Sequence, residues 1–242
     1  MIKEALQYIV GLGEAKQVVI NGTTYTDKTL KPVYSSKITD CFETATLTSV
    51  VDCIKNNVDG LYTDHTQAAI IHIESPMKLT VKSQVYDVSC ARDKYIVAEA
   101  NLPRFSFGQW YDAESFNIAM QSKFIQNEDR DIILKVVGNL KEDAVRTIGD
   151  DGVSQSVTTK TGIATVADVK VPNPVRLRPF RTFLEVEQPE SKFIFRMQNG
   201  ARCGLFEADG GAWEMVAIRK IKEYLEFELS EQIKDGAVII LA

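Results

Sequence analysis

The sequence has few of the residues from which metal centres are usually built. Its 242 residues include two histidines, His65 and His72, and four scattered cysteines, at positions 41, 53, 90 and 203. No two of these cysteines have the C-x-x-C spacing that marks many zinc and redox sites. The composition argues against a zinc site and is typical of reduced thiols in a cytosolic protein.

Common catalytic and nucleotide-binding motifs are also missing. The sequence has neither a G-x-x-x-x-G-K-[ST] motif nor a G-x-S-x-G motif. Gly11-Leu12-Gly13 follows a predicted helix instead of a strand, which argues against a dinucleotide site. Lys160-Thr161-Gly162 matches one fragment of a serine-hydrolase signature, but its partner motifs are missing. We therefore expect no cofactor and no enzyme activity.

Long apolar runs and excess positive charge are absent as well. No stretch approaches the ~20 apolar residues that a membrane-spanning helix needs. The net charge of −5 argues against broad electrostatic binding to nucleic acid or to an anionic membrane. The first fifteen residues have too short an apolar run for a signal peptide. We expect a cytoplasmic protein with no membrane partner.

The most informative stretch runs from Phe193 to Leu229. Asn199-Gly200 predicts a two-residue β-hairpin turn, because both residues tolerate positive φ. This register places Phe193, Phe195, Met197 and Phe206 on one face of the hairpin. Both faces would be largely apolar, so we expect these four residues to be covered or to form an interface. A long amphipathic helix follows, with Asp209 as its predicted N-cap.

The rest of the chain predicts an α+β fold with largely antiparallel sheets. Residues 68–102 read as three sequential strands, and an αα-hairpin follows with Asp112 and Asn127 as helix caps. Further helices are predicted at Ile2–Leu12 and Thr46–Asn57, a hairpin around Asn21-Gly22, and strands at Leu30–Tyr34, 175–188 and 237–241. Residues 149–175 predict either an extended β-arm or a mobile insertion within one domain spanning residues 1–242.

Arg176, Arg178, Phe180 and Arg181 form the strongest basic feature of the sequence. Three arginines interleaved with an aromatic residue can hold a phosphate backbone and stack on a base. The same arginines can instead form salt bridges with nearby glutamates or with a second subunit. The acidic net charge favours the structural or interface role.

Two further features each have a functional and a structural interpretation. Gly210-Gly211 at the start of the long helix could bind an anion at free N–H groups, or simply form a sharp turn. The acidic pairs Asp150-Asp151 and Glu207/Asp209 could hold Mg²⁺ in a nuclease or hydrolase, or serve in turns and helix capping. We favour the structural interpretation of both, and therefore expect no bound metal.

The C-terminal part of the sequence resembles the YfdQ-like proteins of phages and prophages, a family of unknown function. The resemblance rests on Arg181-Thr182-Phe183, residues 185–191, Phe193 and residues 205–213, and is clear over about the last 65 residues. It implies a phage or prophage origin and a cytoplasmic role in early infection. It supplies no catalytic residues.

Three functional hypotheses follow. The first is a non-catalytic homo-oligomer, up to a large closed assembly, which counters host defence by sequestering a host protein or a nucleotide signal. The second is an accessory protein of DNA replication or recombination that binds single strands through the arginine segment. The third is a metal-dependent nuclease or hydrolase built on one of the acidic pairs. We favour the first.

Overall fold

The computed structural model describes residues 2–11, 15–20, 23–27, 40–61, 68–85, 92–138, 146–150, 155–161, 164–165, 169–198 and 201–242. The helices in these ranges are α1 (Ile2–Gly11), α2 (Leu47–Lys55), α3 (Ala113–Lys123), α4 (Glu128–Gly138), α5 (Ala212–Glu228) and α6 (Ser230–Lys234). The strands are β1 (Gln17–Ile20), β2 (Thr23–Thr26), β3 (Phe42–Thr44), β4 (Ala69–Ser75), β5 (Lys78–Lys82), β6 (Lys94–Glu99), β7 (Trp110–Asp112), β8 (Arg146–Asp150), β9 (Gln155–Thr161), β10 (Ala164–Thr165), β11 (Val169–Lys170), β12 (Val175–Leu177), β13 (Ser191–Gln198), β14 (Arg202–Glu207) and β15 (Val238–Leu241).

The sequence predicts one domain, whereas the chain divides into two compact units, Met1–Asp40 and Cys41–Ala242. The first unit contains α1 and an antiparallel β1–β2 hairpin, in which Ile20 pairs with Thr23. The helix and this hairpin are therefore confirmed. The strand predicted at Leu30–Tyr34 lies outside the described residues.

The second unit has a five-stranded sheet in the order β15-β4-β5-β6-β3. Strands β4, β5 and β6 form the predicted antiparallel meander, while β15 and β3 join its two edges in parallel. Helices α2 and α5 cover one face, where Leu47, Ile71 and Ile221 are fully buried in a common core. The predicted α+β class is correct, with parallel pairing confined to the edges of this sheet.

A four-stranded antiparallel sheet, β12-β13-β14-β7, carries the second core. Helices α3 and α4 form the predicted αα-hairpin and bury Phe116 and Ile133 against this sheet. The Asp112 carboxylate accepts a hydrogen bond from the Ser115 N–H at 2.8 Å, which lowers the pKa of Asp112. Asn127 accepts from the Arg130 N–H at 2.9 Å. Both predicted caps are confirmed.

The β13–β14 hairpin forms with a register that differs from the predicted one. Gln198 pairs with Arg202, so the loop holds three residues, and Ala201 has a φ of +55°. The prediction of a two-residue turn is wrong by one residue. Because side chains alternate between the faces of a strand, this slip moves Phe206 to the opposite face from Phe193.

The predicted arm, 149–175, contains strands β9, β10 and β11 and the last two residues of β8, and these strands pair with one another. Strand β9 lies between β8 and β11 and also pairs with β10, in each case antiparallel. After the arm, the strand predicted at 175–188 is observed only over β12, Val175–Leu177. No helix among the described residues is long and apolar enough to cross a membrane.

Candidate functional site

The arginine segment 176–181 follows the edge of the second sheet and is paired with acidic residues of the same chain. The Arg176 guanidinium lies 3.4 Å from a Glu190 carboxylate oxygen. The Arg178 guanidinium lies 3.0 Å from a carboxylate oxygen of Glu187, which also pairs with Lys220 of α5. Hydrogen bonding by Lys220, followed by its charge, lowers the pKa of Glu187. Arg176 and Arg178 therefore make salt bridges with nearby glutamates, as the structural interpretation expects.

Arg181 lies inside the protein and is only 7% exposed. Its guanidinium carbon is 4.0 Å from the centroid of the Trp213 ring, 5.4 Å from that of Phe193 and 5.8 Å from that of Phe107. Such distances are typical of cation–π contacts, which strengthen when the cation is removed from water. The side chain therefore packs as part of an aromatic cluster.

Two polar partners hold the Arg181 guanidinium in this cluster. Arg181 Nη1 donates to Glu207 at 2.7 Å, and Nη2 donates to the Ser191 hydroxyl. Burial lowers the pKa of Arg181, and the carboxylates of Glu207 and Asp209 oppose that shift. A buried charge needs partners of this kind, so Arg181, Ser191 and Glu207 act as one structural group.

A buried glutamine closes the loop that contains Arg181. Gln188 Oε1 accepts from the N–H groups of Arg181 and Thr182 at 2.9 and 3.1 Å. Its Nε2 donates to the carbonyls of Thr182 and Phe183, each at 3.0 Å. The Thr182 hydroxyl donates to the Pro76 carbonyl at 2.6 Å, which ties this loop to the β4–β5 turn.

The structure does not bring the four predicted nucleic-acid contacts onto one free surface. Arg176 and Arg178 are ion-paired, Arg181 is buried, and the Phe180 N–H donates to the Lys123 carbonyl at 3.0 Å. A single strand that bound here through phosphates would have to displace Glu187 and Glu190. This geometry disfavours the nucleic-acid interpretation.

The start of α5 is occupied by the chain's own carboxylate. Gly211, with a φ of 81°, is the N-cap residue, so the predicted capping by Asp209 is wrong by two positions. The Asp209 carboxylate instead accepts from the Gly211 N–H at 3.2 Å. Since Glu207 and Glu214 lie nearby in the sequence, an anion at Gly210-Gly211 would meet negative charge.

Of the two acidic pairs, the structure describes the side chains of Glu207 and Asp209. No group of three potential metal-binding side chains is found in the described part of the chain. Glu207 is bound to Arg181, and the Asp209 carboxylate accepts from the Gly211 N–H. The Asp150 side chain and Asp151 lie outside the described part of the chain.

Three of the four predicted interface residues lie in the chain's own core. Phe193, Phe195 and Met197 are buried together with residues of α3 and α4. Phe206 faces the other side of the sheet, where its ring lies 5.5 Å from that of Trp110. The first three are therefore not available as a surface for another subunit.

Sequence reasoning missed the exposed apolar surface of the first unit. Ile2, Leu6, Ile9 and Val10 have the spacing of a helix face, which usually indicates contact with a core. In the structure all four are exposed, and no residue of α1 is buried. The periodicity is visible in the sequence, but the exposure of this helix face is not.

No protein-family model, curated protein or solved structure matches this chain. The resemblance to the YfdQ-like proteins accordingly stays a prediction. Residues that carry it meet in space around one side chain, since Ser191, Phe193, Glu207 and Trp213 all contact Arg181. The residues on which the predicted resemblance rests therefore include a structural cluster of this chain.

Proposed function

We propose that this protein is a non-catalytic homo-oligomer that assembles and binds its target in the cytoplasm of a bacterial host. The resemblance to YfdQ-like proteins supports a phage or prophage origin. The proposed role rests on that origin. In this role the protein sequesters a host defence protein or a nucleotide signal early in infection. The exposed apolar stripe of α1 is the observation that carries the homo-oligomeric part of the proposal.

The stripe covers one side of the helix without interruption. Ile2, Leu6, Ile9 and Val10 are 81%, 56%, 62% and 65% exposed. The charged residues Lys3 and Glu4 lie outside the stripe, on the remaining surface of α1. An apolar stripe of this kind on an exposed helix indicates a contact surface.

The elements of the first unit are too small to be stable without such a contact. Isolated helices shorter than about 12–15 residues are marginal in water, and α1 has 10 residues. An isolated two-stranded hairpin is also marginal, and Val18, Val19 and Tyr25 of the β1–β2 hairpin are exposed. Burial of both elements against another subunit would supply the missing stabilisation.

A second copy of the chain fits this surface by charge as well as by polarity. The stripe itself is uncharged, and the two charged side chains of α1 are of opposite sign. Two copies of α1 can therefore approach without net repulsion. The resulting contact would be the same on both subunits, as in the commonest homo-oligomers.

Light scattering during gel filtration tests the proposal on the full chain. The parent protein should have a molar mass that is a multiple of 27.0 kDa. Leu6→Glu should reduce that mass, because it buries a charge in the stripe. Gln7→Glu adds the same charge on the polar side of α1 and should leave the mass unchanged. A parent protein that is monomeric at micromolar concentration would refute the proposal.

A further inference from the structure

We propose that β15 pairs antiparallel with β15 of a second copy, so that the five-stranded sheets of two subunits join across a two-fold axis. This inference rests on the homo-oligomer proposed above and adds a second contact to that of α1. The β15 edge of this sheet is uncharged and is open in the described structure.

Strand β15 lies at the end of its sheet and has β4 as its one strand neighbour among the described residues. Its sequence, Val238-Ile239-Ile240-Leu241, has no charge and no proline, and it pairs with β4 without a bulge. Natural edge strands usually carry lysine, proline or a bulge, which prevents pairing with another chain. None of these protective features is present in β15.

The open side of β15 presents unpaired backbone groups. The Ala69 N–H donates to the Ala237 carbonyl at 2.9 Å. The Ala237 carbonyl and the backbone groups of every second residue after Ala237 are therefore directed toward β4. Because alternate residues of a strand direct their N–H and C=O groups to the same side, Val238 and Ile240 direct theirs away from β4. No hydrogen bond from another described residue satisfies these groups.

At the edge of the second sheet, side chains of the same chain form hydrogen bonds with the outward backbone groups. The Arg176 N–H of β12 donates to an Asp129 carboxylate oxygen at 2.6 Å. The Arg176 carbonyl accepts from Asn127 Nδ2 at 2.8 Å. Side chains at the start of α4 thus satisfy the β12 edge, whereas β15 has no equivalent cover in the described structure.

A two-fold axis perpendicular to the sheet satisfies both the backbone and the side chains of β15. It keeps the helix-covered face of both subunits on the same side and makes the facing strands antiparallel. Pairing of even-numbered with even-numbered residues brings the outward N–H and C=O groups of Val238 and Ile240 into hydrogen-bonding position.

The same pairing covers apolar side chains on the other face of the sheet. Ile239 and Leu241 are 42% and 49% exposed on this face. Ile239 of one copy then lies opposite Ile239 or Leu241 of the other, so apolar side chains meet and no charges are opposed. A second copy is the occupant that this uncharged, self-complementary edge fits.

With one contact at α1 of the first unit and another at β15 of the second unit, the subunits can form an oligomer larger than a dimer. An isologous pairing at β15 closes after two copies. If α1 joins each copy to a different neighbour, the subunits assemble further. Disruption of either contact alone should then leave a smaller oligomer rather than an aggregate.

The first test is a charge at the open edge. Ile239→Lys keeps the backbone bonds to β4 but places lysine opposite the partner strand, and the molar mass should fall at least about twofold. Ile118→Lys, at an exposed isoleucine of α3, is the matched control and should keep the parent mass. Far-UV circular dichroism checks that both variants keep the parent's secondary structure.

The second test does not require the pairing to be broken. Directly opposite residues of a non-hydrogen-bonded antiparallel pair have Cα atoms about 4.5 Å apart, within the range of a disulfide. Ile239→Cys alone, or mixed with Leu241→Cys, should form a disulfide-linked dimer on mild oxidation, and the parent chain should not. An oligomeric parent whose mass survives Ile239→Lys and whose cysteine variants stay unlinked would overturn this inference alone. A monomeric parent would overturn the proposed function as well.

Discussion

At the scale of single residues, Arg181 joins an aromatic cluster to two polar partners inside the protein. Its charge lies among the rings of Phe107, Phe193 and Trp213, and it reaches Glu207 and Ser191. Neighbouring Arg178 also forms ion pairs, of 3.0 and 3.7 Å, but its side chain is 37% exposed, against 8% for that of Arg181. Buried and exposed ion pairs differ greatly in their contribution to stability, because water screens the exposed ones.

We predict that Arg181→Ala lowers the free energy of unfolding by about 3 kcal/mol, since it removes a buried charged partner and its aromatic contacts. Arg178→Ala is the matched control and should cost less than about 1 kcal/mol. Urea unfolding followed by circular dichroism measures both values. Equal losses in the two variants would show that burial does not distinguish these arginines.

At the scale of elements, strands β14 and β7 meet at a glycine because their backbones lie close together. A Cβ atom at Gly204 would lie 3.1 Å from the Gln109 carbonyl oxygen and 3.2 Å from the rings of Trp110 and Phe206. A Cβ atom at Gly138, the last residue of α4, would have the Asn117 side chain as its neighbour, at 3.8 Å. The first site has room for a Cβ atom only if its neighbours shift by a few tenths of an ångström, whereas the second accepts one in ordinary van der Waals contact.

We predict opposite signs for alanine at these two glycines. Gly204→Ala should destabilise the protein by about 1–3 kcal/mol, because the backbone of Gln109 must shift. Gly138→Ala should stabilise it by about 0.5–1 kcal/mol, because alanine loses less conformational entropy in a helix. Thermal unfolding of both variants tests this contrast, which a loss of stability at Gly138 would contradict.

Local signals explain which elements the sequence could predict. Asp112 and Asn127 cap their helices as expected, because capping depends on residues three positions away. The β13–β14 register depends instead on Ala201 at positive φ, which alanine seldom adopts. The two-residue turn is the common solution for Asn-Gly, whereas the observed register places Cys203 and Leu205 of β14 beside Phe195 in the second core.

At the scale of the whole second unit, the segment 178–190 connects the two cores. Phe183 is buried with α2 and α5 in the first core, and Phe193, just beyond the segment, is buried in the second. Within the segment, Glu185 accepts from the Thr48 N–H of α2 at 3.2 Å, and Thr182 donates to the Pro76 carbonyl.

This arrangement explains why the sequence indicated arginines as a candidate site but not their burial. Charge and spacing are local properties of the segment. The burial of Arg181 depends on Trp213 and Phe107, which come from elements far away in the chain. The sequence therefore indicates a group of basic residues, but not that Arg176 and Arg178 pair with glutamates of the same chain and that Arg181 is buried.

We predict that Gln188→Leu weakens both cores together, because Gln188 is the residue that holds segment 178–190 in shape. The substitution leaves the buried N–H groups of Arg181 and Thr182 without their acceptor, at a cost of about 1–3 kcal/mol for each group left unsatisfied. Hydrogen exchange should then accelerate in β4 and β5 of the first sheet as well as in β13 and β14 of the second. Glu190→Gln, at an exposed position of the same segment, should leave both sheets protected. Faster exchange limited to residues 178–190 would mean that the two cores are stable independently and that the segment merely spans them.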